Sequence, residues 1–163
     1  MIPAESWDMI RAVRDGQQTP ESVKLFHKKP KTYEEFGEFL GGFVTDLNNL
    51  CEEGCSILVE GPRDARALRR LGCRGNVVTV SSVVRRGNVV FGEDRKVVIL
   101  TDLDREGAVL ASRYVRRLSH EGLKTSLHER QRLKSASRGV FLHIENLSRF
   151  ARESSEWPVA SKP

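Results

Sequence analysis

A chain of 163 residues, 39% apolar and 30% charged, holds enough core-forming residues for one ordinary domain with extensions, which excludes both two full domains and a disordered polymer. No apolar run approaches the roughly eighteen residues that cross a bilayer, and residues 1–22 lack the basic start, apolar core and small-residue cleavage site of a secretory leader, so a cytoplasmic protein without membrane contact is expected. The net charge of +5, carried mainly by arginine, fits an anionic partner such as nucleic acid, because a planar guanidinium suits phosphate, with a codon-usage bias as the equal alternative since the arginines are spread along the chain.

In chain order, the spacing predicts a helix over 6–15, a polar stretch over 16–20 and a basic segment over 28–31. From Thr32 the apolar residues Tyr33, Phe36, Phe39, Leu40, Phe43, Val44, Leu47 and Leu50 recur at helical spacing, and Thr32 with Glu35 forms the pattern of a capping box. Gly37, Gly41 and Gly42 each weaken such a helix by about 1 kcal/mol relative to Ala, so it relies on tertiary packing. A βαβ unit follows, with strands at 56–60 and 76–81 around a helix at 64–71.

Residues 82–94 fit two short strands joined by a turn at Gly87-Asn88, or the end of a short helix. Residues 97–101 read as a doubly buried strand, and 106–121 as a helix turning Ala108, Ala111, Val115 and Leu118 inward. Gly122 stops that helix, and a short fourth strand spans 124–128. Residues 139–153 suggest a brief strand and a closing helix with Ile144, Leu147 and Phe150 inside, before a frayed tail from Ser154. The alternation predicts a doubly wound α/β fold. Cys51, Cys55 and Cys73 lack the paired spacing of a structural zinc site and are read as reduced thiols.

The chemistry concentrates where two strands end. Asp102 and Asp104 directly follow an apolar strand, and side chains two apart on extended backbone point the same way, so both can converge on one cation. An earlier strand ends alike at Glu60-Gly61, with Asp64 one helical turn on. Parallel strands bring these ends to one rim, where two unit charges about 4 Å apart repel by roughly 4 kcal/mol at an effective dielectric near 20. A divalent cation relieves that repulsion. Oxygen donors, with no His or Cys in the pattern, favour Mg²⁺ or Mn²⁺ over Zn²⁺. A solvated or helix-capping acid explains one strand-end aspartate well, but not two acidic strand ends. A calcium hand is ruled out because its twelfth loop position falls on Arg113. An aspartate-nucleophile phosphatase shares the Asp-x-Asp string, and remains a minor alternative although Glu106 stands where that class has Thr or Val.

Glu60-Gly61-x-x-Asp64 followed by Thr101-Asp102-Leu103-Asp104-Arg105-Glu106-Gly107 resembles the Toprim family of topoisomerases, bacterial-type primases and small nucleases. The second half is similar to the Asp-x-Asp-Arg-Glu-Gly string of type IA topoisomerases, and the resemblance covers about residues 54–130. Length and the segment Ile144-Glu145-Asn146-Leu147 resemble the stand-alone small Toprim proteins, known from archaea and akin to the bacterial 5S ribosomal RNA maturase. A whole topoisomerase or primase is excluded by size, and Tyr33 and Tyr114 sit at packing positions.

The resemblance implies a Rossmann-like fold with a four-stranded, mainly parallel sheet flanked by helices: a helical extension over 1–53, the Toprim domain over 54–130, and a strand, helix and tail over 131–163. It implies that Glu60 is the general acid/base and a metal ligand, while Asp102 and Asp104 hold one or two Mg²⁺ ions, Mn²⁺ being able to substitute. Asp64 and Glu106 are candidates for supporting them, with a helix cap for Asp64 and a helix-dipole partner for Glu106 as open alternatives, and Arg63, Arg105 and Arg113 are candidates for the nucleic-acid backbone, with a solvated helix face as the equal alternative. The expected activity is cleavage of nucleic-acid phosphodiesters, RNA before DNA, as an RNA-processing nuclease. The competing expectation is a catalytically silent module that binds Mg²⁺ and nucleotide or nucleic acid within an RNA-processing complex.

Overall fold

The computed structural model describes residues 30–151, so the helix expected at 6–15 and the tail from Ser154 lie outside the described residues. The first helix, α1, spans Tyr33–Glu52 and buries Phe36, Leu40, Phe43, Val44 and Leu47. Thr32 Oγ1 accepts from Glu35 N at 3.1 Å, as its cap position requires. The return arm of the expected box differs: the Glu35 carboxylate accepts from Lys31 N at 2.6 Å, one residue before the cap.

Strand β1 (Cys55–Val59) leads into α2 (Pro62–Arg70), and β2 (Val77–Thr79) into α3 (Val80–Arg86) with a 3₁₀ turn over Gly87–Phe91. The undecided stretch 82–94 is thus helical, with Thr79 Oγ1 capping α3 by accepting from Ser82 N at 3.2 Å. Strand β3 (Lys96–Ile99), α4 (Arg105–His120) and β4 (Lys124–Ser126) complete the alternation.

All four strands are parallel, in the order β2-β1-β3-β4. Chain direction across the sheet reverses between β1 and β3, so the carboxyl ends of those two strands flank the topological switch point where such sheets bind ligands. Leu58 pairs with Ile99, and Leu100 N donates to Leu58 O at 2.8 Å, which brings Glu60 level with the residues after β3.

Alternating strand residues build two cores. Ile57, Val59, Val98 and Leu100 pack with α1 on one face; Leu58, Val97 and Ile99 pack with Ala111, Tyr114 and Leu118 of α4 on the other. The inner stripe of α4 is Gly107, Ala111, Tyr114 and Leu118, so the expected Ala108 and Val115 lie at its half-buried margins.

Two C-terminal features depart from the sequence pattern. The residues between the expected fourth strand and 139, for which the pattern predicts no element, form a helix, α5 (His128–Ser137), whose buried set includes Glu129, Arg130 and Ser137 beside Leu133 and Ala136; charged residues in the stripe conceal its period. Residues 139–143 form no strand, and the closing helix is a 3₁₀ helix, Ile144–Phe150, with Ile144, Leu147 and Phe150 buried as expected. Phe36 of α1 stacks on Phe141 at 5.1 Å between ring centroids and meets Phe150 edge-on at 5.2 Å. The aromatic stripe of α1 therefore clasps the C-terminal segment against the sheet.

Candidate metal centre

The loop after β3 is fastened at nearly every residue. Asp104 is the N-cap of α4, its Oδ1 accepting from Gly107 N at 2.7 Å, while Thr101 Oγ1 donates to Gly107 O at 2.7 Å. A Cβ on Gly107 would lie 2.0 Å from Asp102 O, so the loop closes only on a residue without a side chain. Arg130 of α5, 6% exposed, donates through Nε to Thr101 Oγ1 at 3.1 Å, and through one terminal nitrogen to Asp102 O at 2.5 Å and Asp104 O at 3.3 Å. Burial pulls the Arg130 guanidinium below its usual range, an effect opposed by Asp104, Glu60 and Asp102.

The C-terminal segment completes the loop's support. Leu103 N donates to Leu142 O at 2.7 Å, Ile144 N donates to Asp102 Oδ1 at 2.8 Å, and His143 Nδ1 lies 2.8 Å from Asp102 Oδ2. Hydrogen bonding to Asp102 holds the His143 imidazole above its ordinary pKa.

Across the switch point, Glu60 Oε1 accepts from Asp102 N at 3.1 Å, which joins the two strand ends. Burial lifts the Glu60 carboxyl above the usual range; the Asp102 amide opposes this, and the charges of Asp102, Asp64 and Asp104 add to it. Gly61 is extended at the start of α2, Pro62 supplies a first-turn residue with no donor to satisfy, and Asp64 Oδ2 accepts from Gly61 N at 2.9 Å. Asp64 is 7% exposed, and burial raises its carboxyl too.

The remaining predicted residues are more open. Glu106 and Arg105 are exposed in the first turn of α4, and Arg113 is exposed further along it. The Arg63 side chain is 78% exposed and lies 3.8 Å from Glu145. It borders a cleft of about 240 Å³ lined by Arg66, Ala67, Arg70, Glu145 and Ser148. Cys51, Cys55 and Cys73 are free, and burial pushes Cys51 up to about 12 and Cys55 to about 11, which leaves both thiols protonated at neutral pH.

Ligating atoms of Asp102, Asp104 and His143 lie within 4.8 Å of one another, a spacing that fits one small divalent cation. The expected pattern contained no His; the fold brings His143 to Asp102 across 41 residues of sequence. Arg130 and His143 both escaped the sequence reading. Neither lies in the acidic motifs, although His143 immediately precedes Ile144-Glu145-Asn146-Leu147.

The parallel sheet, the acidic strand ends at its switch point and the Asp-x-Asp loop define a Toprim domain, and residues 56–134 match that domain family. Among relatives, the UPF0292 protein of Pyrococcus abyssi is 34% identical over 106 residues, spanning 64% of this chain and 80% of its own. That of Pyrococcus horikoshii is 34% identical over 119 residues, 71% of this chain and 90% of its own, and that of Methanosarcina barkeri 31% over 127 residues, 77% and 84%. The chain belongs to the UPF0292 family of stand-alone small Toprim proteins. A solved structure of an Aquifex aeolicus protein is similar to it with TM-score 0.53 and 26% identity, over 72% of this chain and 99% of that one. The Toprim domain associates the chain with metal-dependent chemistry on nucleic acids. Among the described residues, no helix is long and apolar enough to cross a membrane.

Proposed function

We propose that this protein is a metal-dependent nuclease that cuts phosphodiesters in structured RNA, with Asp102 and Asp104 holding Mg²⁺ or Mn²⁺ and Glu60 moving the proton. The observation that carries the reading is the bond from Asp102 N to Glu60 Oε1, which tethers a carboxyl of raised pKa to the backbone of the metal-binding loop. A cation bound there would polarise the scissile phosphate and stabilise charge on the attacking and leaving oxygens. Glu60, held up by burial and neighbouring carboxylates, keeps a proton available nearer neutral pH than a free glutamate and can give it to a leaving oxygen or take one from water.

Arg130 offsets the carboxylate charge from behind the loop, leaving the open side for substrate. Arg63 and the cleft beside it, which Arg66 and Arg70 also line, offer phosphate contacts along α2, and Arg105 and Arg113 offer others along α4. Asp64 holds the Glu60-Gly61 turn, and Glu106 opens α4 beside Asp104.

The deciding experiment incubates the purified chain and Glu60→Gln with total RNA and a DNA panel, in Mg²⁺, Mn²⁺ or chelator, and maps new ends. The expected result is cation-dependent cleavage, stronger on RNA, that falls at least about a hundredfold in Glu60→Gln, the scale of losing a positioned acid/base. No cleavage by the wild type overturns the nuclease reading. Salt-sensitive RNA binding that survives Glu60→Gln but is lost on removing Arg63 and Arg113 would then assign the chain to the silent binding modules.

A further inference from the structure

We infer that His143 is a third protein ligand of the cation held by Asp102 and Asp104, and that its nitrogen biases the site toward Mn²⁺ over Mg²⁺. The inference rests on the metal-site reading above and adds to it a donor from outside the acidic motifs.

An exposed histidine beside an aspartate is ordinarily a surface hydrogen bond. Here the segment is fixed on both sides of the ring. Before it, Leu142 O accepts from Leu103 N at 2.7 Å and Phe141 stacks on Phe36. After it, Ile144 is fully buried and its N donates to Asp102 Oδ1 at 2.8 Å. Three residues of the C-terminal segment thus dock on the Asp102–Asp104 loop, and the backbone holds the imidazole at the carboxylate whatever the side chain itself contributes.

The separations suit joint ligation. Neighbouring ligands of an octahedral ion with bonds of about 2.1 Å stand roughly 3 Å apart. His143 Nδ1 and Asp102 Oδ2 are 2.8 Å apart, and one ligating atom from each of Asp102, Asp104 and His143 lies within 4.8 Å of the other two. A cation entering between them takes the place of the proton shared by Nδ1 and Oδ2. The side chain is 47% exposed, so that cation has an open approach with room for water. Carboxylate and water alone suit Mg²⁺, whereas an added imidazole favours a later, softer divalent ion; of the two ions at issue, that is Mn²⁺.

The test uses the full chain loaded with one equivalent of Mn²⁺ and reads nitrogen coupling by electron spin echo envelope modulation. The expected spectrum shows a ¹⁴N coupling of a directly bound imidazole, which converts to the ¹⁵N pattern in protein grown on [¹⁵N]histidine. In His143→Asn, which keeps a hydrogen-bond donor for Asp102, the coupling disappears, Mn²⁺ affinity falls about tenfold and Mg²⁺ affinity falls less, so the preference narrows. Bound Mn²⁺ with no nitrogen coupling, or a coupling that persists in His143→Asn, overturns the inference while leaving the carboxylate site standing. Should His143→Asn not fold, the same spectra from His27→Asn, His120→Asn and His128→Asn, which remove the chain's other three histidines, decide whether the labelled histidine is His143. Absence of any Mn²⁺ binding by the wild type removes the metal-site reading and this inference together.

Discussion

The two strand ends that form the site are built in opposite ways. The turn after β1 is capped by its own residues: Gly61, Pro62 and Asp64 start α2 with a bond spanning three residues, Glu60 is carried on that turn, and the Glu145 backbone at Asp64 and the Asp102 amide at Glu60 reach it from elsewhere. The loop after β3 is assembled from a distance. Arg130 reaches it from 28 residues downstream of Asp102, and Ile144 from 42. The acid proposed to move protons therefore stands on a local turn, whereas the proposed metal pair depends on the C-terminal segment and, through Phe141 and Phe150, on α1. Changes behind the β3 loop should cost stability and metal affinity together; changes at the β1 turn should separate them.

The largest effect is expected for Arg130→Met. Removing the guanidinium leaves Thr101 Oγ1 and the carbonyls of Asp102 and Asp104 without that donor and the nearby carboxylates without its charge. Loss of a buried, charge-assisted network of this kind costs about 3 kcal/mol, measurable by chemical denaturation, with weaker cation binding in the same protein. A loss below about 1 kcal/mol would erase the contrast between the two ends. Gly107→Ala comes next. The new methyl meets the Asp102 carbonyl, and the loop must shift, at a cost of about 2 kcal/mol in the urea midpoint analysis and with reduced Mn²⁺ affinity. Cation binding unchanged in that variant would mean that the loop adapts without moving its carboxylates.

How much of this was legible in the sequence follows the same division. Glu60, Asp64, Asp102 and Asp104 were readable because each strand ends in its acid within a few residues, and the parallel order brings the two ends together. Arg130 was not. It lies in a helix whose buried face carries Glu129 and Arg130, and a hydrophobic-period reading assigns such residues to solvent. His143 was hidden for a different reason: its partner is set by the docking of residues 141–150 against α2 and the aromatic stripe of α1, and a non-local contact of that kind leaves no spacing in the chain. The 82–94 stretch was undecided because Val83, Val84, Val89 and Val90 suit strand and helix alike; the cap from Thr79 decides it. Thr32 and Glu35 do mark the helix start, but the Glu35 carboxylate accepts from Lys31 N, one residue before the cap, a shift that side-chain spacing alone does not reveal.

At the β1 turn the effects shrink. Asp64→Ala removes the acceptor for Gly61 N and should cost about 1 kcal/mol, as for a lost helix cap, while Asp64→Asn, which keeps an acceptor oxygen, costs less. Glu60→Gln should change stability least of all while changing cleavage most. The amide oxygen of Gln can still accept from Asp102 N, so the link between the strand ends survives. Burial and three nearby carboxylates disfavour the ionised Glu60 in the folded chain, and a neutral side chain removes that penalty; the sign of any change in melting temperature without cation is therefore upward. Glu60→Ala, by contrast, leaves Asp102 N without its acceptor and should melt lower than both. If Glu60→Gln melts clearly below the wild type, Glu60 is a structural member of the β3 loop, and the separation between a local acid and a remotely built metal pair does not hold.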